Sequence, residues 1–159
     1  MEDASILANM LNNKNVLDNL NDGIPFPYTL SDAKDFIASL NDLDSNKVFI
    51  WAITANGVVV GGISIFRREN VRRLTAELGY YLAEEHWGKG IMVQAIHQAC
   101  QYVFQNTDIV RIFAEPFCTN HASHRVLEKS GFTCESILKM GAIKNNCVLD
   151  TKCYVLLKK

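Results

Sequence analysis

Thr75-Ala76-Glu77-Leu78-Gly79-Tyr80-Tyr81-Leu82-Ala83 runs directly into Glu84-Glu85-His86-Trp87-Gly88-Lys89-Gly90-Ile91-Met92. The first segment reads as a strand, rich in aromatic and aliphatic side chains. The second is a glycine turn that opens a helix. Its apolar pairs, Ile91/Met92, Ala95/Ile96, Ala99/Cys100 and Val103/Phe104, recur every four residues and predict a broad buried face. A strand, a glycine turn and a long helix in that order make the start of an α/β crossover.

Upstream, Val48 to Thr54 and Val58 to Phe66 are β-rich runs. Ala55-Asn56-Gly57 lies between them, and Asn-Gly tolerates the positive φ of a tight hairpin. Gly61-Gly62 inside the second run predicts a bulge or a close backbone neighbour. Arg67 to Arg73 reads as a solvated turn. Earlier still, Ser5 to Leu20 carries a helical apolar stripe, interrupted near Asn12 to Asn15. Pro25 and Pro27 stop any helix there. Thr29 or Ser31 can cap a second helix with Ala33, Phe36, Ile37 and Leu40 inward. Downstream come a strand (Ile109 to Glu115), a short helix (Asn120 to Lys129) closed by Gly131, and a hairpin of Phe132–Ile143 with Cys147–Leu157 around Asn145-Asn146. The succession gives an α/β (α+β) fold with a mixed sheet and at least one right-handed crossover.

The chain has 159 residues, 48% of them hydrophobic and 21% charged, which suits one domain over residues 1–159 with a single core. A net charge of −1 lacks the basic excess of a nucleic-acid binder. The apolar runs fall short of the roughly 20 residues that cross a bilayer, so no membrane partner is expected. The acidic start Met1-Glu2-Asp3 is unlike a secretory signal. The cysteines, at 100, 118, 134, 147 and 153, are odd in number and form no CxxC pair. They predict mostly buried, reduced thiols in a cytoplasmic protein.

Trp87-Gly88-Lys89-Gly90 at a helix start can cradle an anion. The first turn of a helix has unbonded N–H groups and positive potential, and glycine lets a phosphate approach the backbone. Lys89 adds a mobile charge. The spacing alone more often marks a plain strand-to-helix turn, which is common. It is neither a GxxxxGK[ST] loop nor a GxGxxG fingerprint. A second segment, Asn120-His121-Ala122-Ser123-His124-Arg125-Val126-Leu127-Glu128-Lys129-Ser130-Gly131-Phe132, reads alone as a surface helix capped by Asn120.

Together, WGKGIM after a strand and NxASxRVLEKSGF some thirty residues later resemble the GNAT superfamily of acetyl-CoA-dependent N-acetyltransferases. The likeness is to its RimJ/RimL type, which acetylates ribosomal-protein alanine or serine. Pro25-Phe26-Pro27-Tyr28-Thr29 and Ala76 to Ile91 extend the resemblance over essentially the whole chain. Two departures stand out. Glu85 occupies a position where the family loop carries Gln or Arg. The chain opens on the helix that follows the family's first strand, so either the start is truncated or that strand is missing. The resemblance therefore implies a mixed, mostly antiparallel sheet with helices on both faces, and an unpaired edge at Val48–Thr54.

It also implies where acetyl-CoA lies: between Thr75–Ala83 and Ile109–Glu115 where they splay apart. The cofactor-binding residues would be Tyr81, Leu82 and Ala83 for the pantetheine arm. Trp87, Gly88, Lys89, Gly90, Ile91 and Met92 would serve the pyrophosphate. Asn120 and Ser123 fall at the sulfur end, and Arg125 and Lys129 nearer phosphate. The catalytic candidates are Glu77 as proton acceptor, with Ser123 and Asn120 at the leaving thiol. The Leu82 N–H would steady the oxyanion. Glu77 could otherwise face solvent or pair with Arg72 or Arg73. Freeing an α-amine (pKa about 8) at pH 7 costs about 1 kcal/mol, whereas a lysine (about 10.4) costs about 4.6 kcal/mol. A modest base therefore suits an α-amine or small-amine acceptor. Acceptor choice is expected in Pro25–Leu30, Arg67–Arg73 and the closing hairpin.

Other readings also fit the sequence. A non-catalytic acyl-CoA sensor would carry the same cofactor residues. Cys118, His121, His124 and Cys134 could be metal ligands, but their spacing matches no standard zinc pattern, so no metal is expected. Cys100, Cys147 and Cys153 read as core residues, as do Phe49 and Trp51. Tyr80 and Tyr81 alternate faces, so one of them at most meets the cofactor. Monomer and homodimer are both compatible with the sequence.

Overall fold

A computed structural model describes residues 3–159, which leaves Met1 and Glu2 of the acidic start outside. Its sheet comprises β1 (Val48–Ala55), β2 (Val58–Arg67), β3 (Thr75–Leu82), β4 (Arg111–Ala114), β5 (Thr133–Lys144) and β6 (Cys147–Leu157). The strand order is β1-β2-β3-β4-β6-β5. Only β3 and β4 run parallel; every other neighbouring pair is antiparallel. The helices are α1 (Asp3–Leu11), α2 (Lys14–Leu17), α3 (Leu30–Ser39), α4 (Ile91–Asn106) and α5 (His121–Lys129). Among the described residues no strand precedes β1, and β1 pairs with β2 alone.

Local signals account for most boundaries. Asn56 and Gly57 both have positive φ, as the β1–β2 hairpin requires. Thr29 and Asp32 form a reciprocal capping box at α3. Asn120 caps α5 by accepting the Ser123 N–H at 3.1 Å. The apolar stripe of α4 buries Met92, Ile96, Ala99, Cys100 and Val103. They meet Ile63, Ile65, Ala76, Leu78, Ile112 and Leu127 in the main core. A second cluster joins α1 and α2 to Tyr28 and Ala33. Tyr80 packs on the first cluster and Tyr81 on the second, so the two clusters lie on opposite faces of the sheet.

Four side chains depart from the sequence reading. Phe36 is exposed, while Ala33 on the same helix is fully buried. Cys147, expected in the core, is exposed beside the β5–β6 turn. Phe49 and Trp51 are only half-buried; they stack on each other, and Trp51 meets Tyr102 edge-on.

The glycine pair in β2 combines both expected features. Ile53 pairs with Gly61 and Thr54 with Val59, so Val60 is an extra residue. A Cβ on Gly61 would stand 2.4 Å from the Tyr81 carbonyl oxygen, and one on Gly62 2.8 Å from the Tyr81 ring. Gly61→Ala is therefore expected to push β2 off β3 and lower unfolding free energy by about 1–3 kcal/mol, read by chemical denaturation. An unchanged midpoint would contradict this packing.

Candidate active site

β3 and β4 pair only at Thr75–Arg111, Ala76–Ile112 and Glu77–Phe113. Beyond Glu77, β3 stays with β2 as far as Leu82. On the other side Phe117 bridges to Thr151. The two parallel strands thus part, leaving a cleft of about 410 Å³. Arg68 N–H bonds Thr75 O at 2.9 Å and Ala83 N–H bonds Val60 O at 2.8 Å. Strand alternation then turns the odd-numbered backbone groups of β3 toward β2 and aims those of Leu78, Tyr80 and Leu82 into the gap. The Leu82 oxygen accepts the Trp87 indole N–H at 2.7 Å, while its N–H faces the cleft.

The glycine loop stands at the end of this gap. Gly88 and Gly90 have φ of 74° and 78°, and a Cβ on either would meet no atom within 4 Å. Open space on that side fits an incoming anion. Gly90 caps α4 without any side-chain hydrogen bond, so the first-turn N–H groups are bare. Among the described residues the N–H groups of Gly88, Lys89 and Gly90 have no acceptor. The Trp87 N–H is already engaged with Glu84 O at 3.0 Å. The run of bare N–H groups therefore begins at Gly88, one residue later than the sequence reading expected.

Tyr81, Leu82, Trp87, Gly88, Gly90, Ile91, Met92, Asn120, Ser123, Arg125 and Lys129 all line the one cleft, and so does Glu77. Ala83 and Lys89 do not. Ala83 is buried against β2, and Lys89 is exposed. Met92 is buried in the core, so its side chain anchors the helix.

Polar groups divide between the two sides of the gap. On the α1–α3 side, Glu77 pairs with Arg68 at 2.7 Å, not with Arg72 or Arg73. Arg68 lies over the Phe113 ring. Glu115, two residues past Phe113, joins Glu77 there. Desolvation, and then the Glu77 charge, raise the Glu115 carboxyl from its ordinary value, with Arg68 opposing them, and the side chain is exposed to water. On the α5 side, Tyr80 Oη and Ser123 Oγ are 2.5 Å apart. The sequence reading missed Glu115, although a period of two from Phe113 places it on the Glu77 face. It also missed Asn15, Asn19 and Asn21, which line the cleft, whereas Pro25–Leu30, Arg67–Arg73 and the closing hairpin do not. Asn13 and Asn15 bind the Glu84 carboxylate at 2.6 and 3.0 Å, and Lys144 binds Asp22 at 2.8 Å. Segment 13–22 is thereby tied to the glycine loop and to the closing hairpin.

The acetyltransferase (GNAT) domain pattern matches residues 1–133. The chain belongs to the GNAT acetyltransferase family. It is 30% identical over 166 aligned positions to the uncharacterized N-acetyltransferase p20 of Bacillus licheniformis, covering 100% of this chain and 89% of that protein. The ribosomal-protein-serine acetyltransferase of Escherichia coli is 32% identical over 96 positions, 60% of this chain and 53% of that enzyme. The microcin C7 self-immunity acetyltransferase MccE, solved with acetyl-CoA and AMP, superposes with a TM-score of 0.86 at 25% identity. That match covers 98% of this chain and 87% of MccE. By family the chain is an N-acetyltransferase, and its relatives include the ribosomal-protein type.

Within the GNAT frame, α5 is held from below by His124. This buried imidazole bonds the Phe117 carbonyl through Nε2 at 3.1 Å and stacks on Tyr154. Tyr154 Oη donates to Glu128 at 2.9 Å. Among the described residues no group of three or more His, Cys, Asp or Glu side chains could hold a metal. Burial, then Lys152, lower the His124 pKa. The unfolded chain therefore binds the proton more readily. Stability from this site is complete above about pH 6.5 and is lost as pH falls through the lowered folded value. Denaturation midpoints are expected to drop from about pH 7 to about pH 5, and to drop less in His124→Gln. Equal slopes for the two proteins would contradict that assignment.

Proposed function

We propose that the protein transfers the acetyl group of acetyl-CoA to a primary amine, a protein N-terminus or a small-molecule amine, by direct attack in a ternary complex. The carrying observation is the parting of β3 from β4 just where the bare N–H groups of Gly88 to Ile91 end the gap. The pyrophosphate would rest on those N–H groups, with Arg125 and Lys129 at the rim. The pantetheine arm would add to β3 like a strand, pairing with Tyr80 and Leu82 rather than Tyr81 and Ala83, whose backbone groups face β2. Asn120 lies at the sulfur end, where its Oδ1 caps α5 and leaves the amide N–H₂ for the arm.

The amine would enter from the side of segment 13–22 and Glu115. As nitrogen bonds the acetyl carbon, its proton passes to the Glu115 carboxylate, directly or through water. Glu77, the candidate from the sequence, already binds Arg68, so we give it the role of holding the charge balance beside Glu115. The Leu82 N–H steadies the oxyanion, and the carbon–sulfur bond breaks toward Ser123. Five free thiols support a reducing, cytoplasmic setting.

The test is acetyl-CoA with a panel of peptide N-termini and small amines, followed by release of free thiol and calorimetry of cofactor binding. Amine-dependent thiol release supports the reading. Tight binding with no transfer to any amine would favour the non-catalytic sensor instead.

A further inference from the structure

Tyr80 is the one aromatic hydroxyl of β3 that faces α5, and its oxygen lies 2.5 Å from Ser123 Oγ. The two residues are 43 positions apart in sequence and stand on separate elements. Both residues line the cleft, so their bond lies within it. A phenol is the stronger acid and weaker acceptor of the two hydroxyls, so Tyr80 donates and Ser123 accepts. Burial pushes the Tyr80 hydroxyl up to about 12, so it keeps its proton at working pH. Among the described residues no protein group accepts the Ser123 hydroxyl hydrogen, and the Asn120 cap uses only the Ser123 backbone. With its oxygen fixed by Tyr80, that hydrogen is left to the cleft, where Val126 and Ile91 supply apolar walls.

We infer that Tyr80 is a positioning residue for the leaving group: its bond to Ser123 turns the Ser123 O–H toward the thioester sulfur. The inference rests on reading the cleft as an acetyl-transfer site. In the step, the amine nitrogen bonds the acetyl carbon and its proton goes to Glu115. The carbon–sulfur electron pair stays on sulfur. Ser123 keeps its proton and donates a hydrogen bond to the thiolate, which leaves as such and takes a proton from water. Donation from Tyr80 polarises the serine hydroxyl and strengthens that bond.

Tyr80→Phe keeps the ring and its packing and removes only the donor. It is expected to lower kcat about tenfold, with KM for acetyl-CoA and amine within about twofold, the weight of one hydrogen bond to a charged group. Ser123→Ala is expected to match it, and the double variant to lose no more than Ser123→Ala alone. The thiol of bound coenzyme A, followed by the ultraviolet absorbance of its thiolate, is expected to titrate at higher pH in Tyr80→Phe than in wild type. Full kcat in Tyr80→Phe, multiplicative losses in the double variant, or an unmoved thiol titration would each overturn the inference. Those outcomes in a wild type that transfers acetyl leave the parent reading standing. A wild type that binds no acetyl-CoA by calorimetry overturns both.

Discussion

Gly90→Val is expected to weaken acetyl-CoA binding at least about 100-fold, the equivalent of two charge-assisted hydrogen bonds, while the far-ultraviolet circular dichroism stays that of the wild type. The substitution meets no protein atom, because a Cβ at residue 90 has nothing within 4 Å. It carries the strain of a β-branched side chain at φ 78°, about 2–3 kcal/mol. The protein should therefore fold. What the valine fills is the space over the first turn of α4, where bare N–H groups would meet the diphosphate. Lys89→Ala provides the contrast. Its side chain is exposed and lies outside the cleft lining, so a loss under about threefold is expected. Calorimetry with acetyl-CoA reads both variants. Wild-type affinity in Gly90→Val would remove the cradle from the account.

Glu115→Gln is expected to lower kcat by about 10²-fold or more while leaving acetyl-CoA affinity within about twofold. The carboxylate sits beside Glu77 on the face from which an amine can enter, and its raised pKa makes it a better proton acceptor than an ordinary glutamate. The sign of the pH effect follows. The base form accumulates as pH rises through the raised value, so the wild-type rate should climb across a limb shifted upward from that of an ordinary glutamate. Glu115→Gln should lose that limb. Glu77→Gln should do less harm to the chemistry, because its first partner is Arg68. Steady-state rates over pH for the three proteins decide the order. A wild-type profile in Glu115→Gln alongside a collapsed Glu77→Gln would hand the role back to Glu77.

Much of this architecture is written in local sequence. The four-residue rhythm of Ile91 to Phe104 reports the buried face of α4, because helix geometry repeats nearly on that period. Asn56-Gly57 and the Thr29–Asp32 pair announce their turn and cap through backbone chemistry that needs no tertiary context. The glycine loop was legible for the same reason. What could not be read depends on register. Whether Tyr81 or Tyr80 turns its backbone to the gap follows from Arg68 bonding Thr75, and one residue of slip would reverse it. Glu115 lay at the end of the expected strand, but its partner became visible only once Glu77 and Phe113 stood side by side. The Tyr80–Ser123 contact joins residues whose spacing carries no signal at all. Cys147 shows the converse error: apolar character argues for burial, yet a hairpin tip has nothing to bury against.

Diffraction from the protein co-crystallised with coenzyme A tests the central claim most directly. The diphosphate should lie on the N–H groups of Gly88 to Ile91, with the pantetheine arm running between β3 and β4 beside Tyr80 and Leu82. A coenzyme bound outside that gap, or with its diphosphate held by side chains away from the start of α4, would contradict the account.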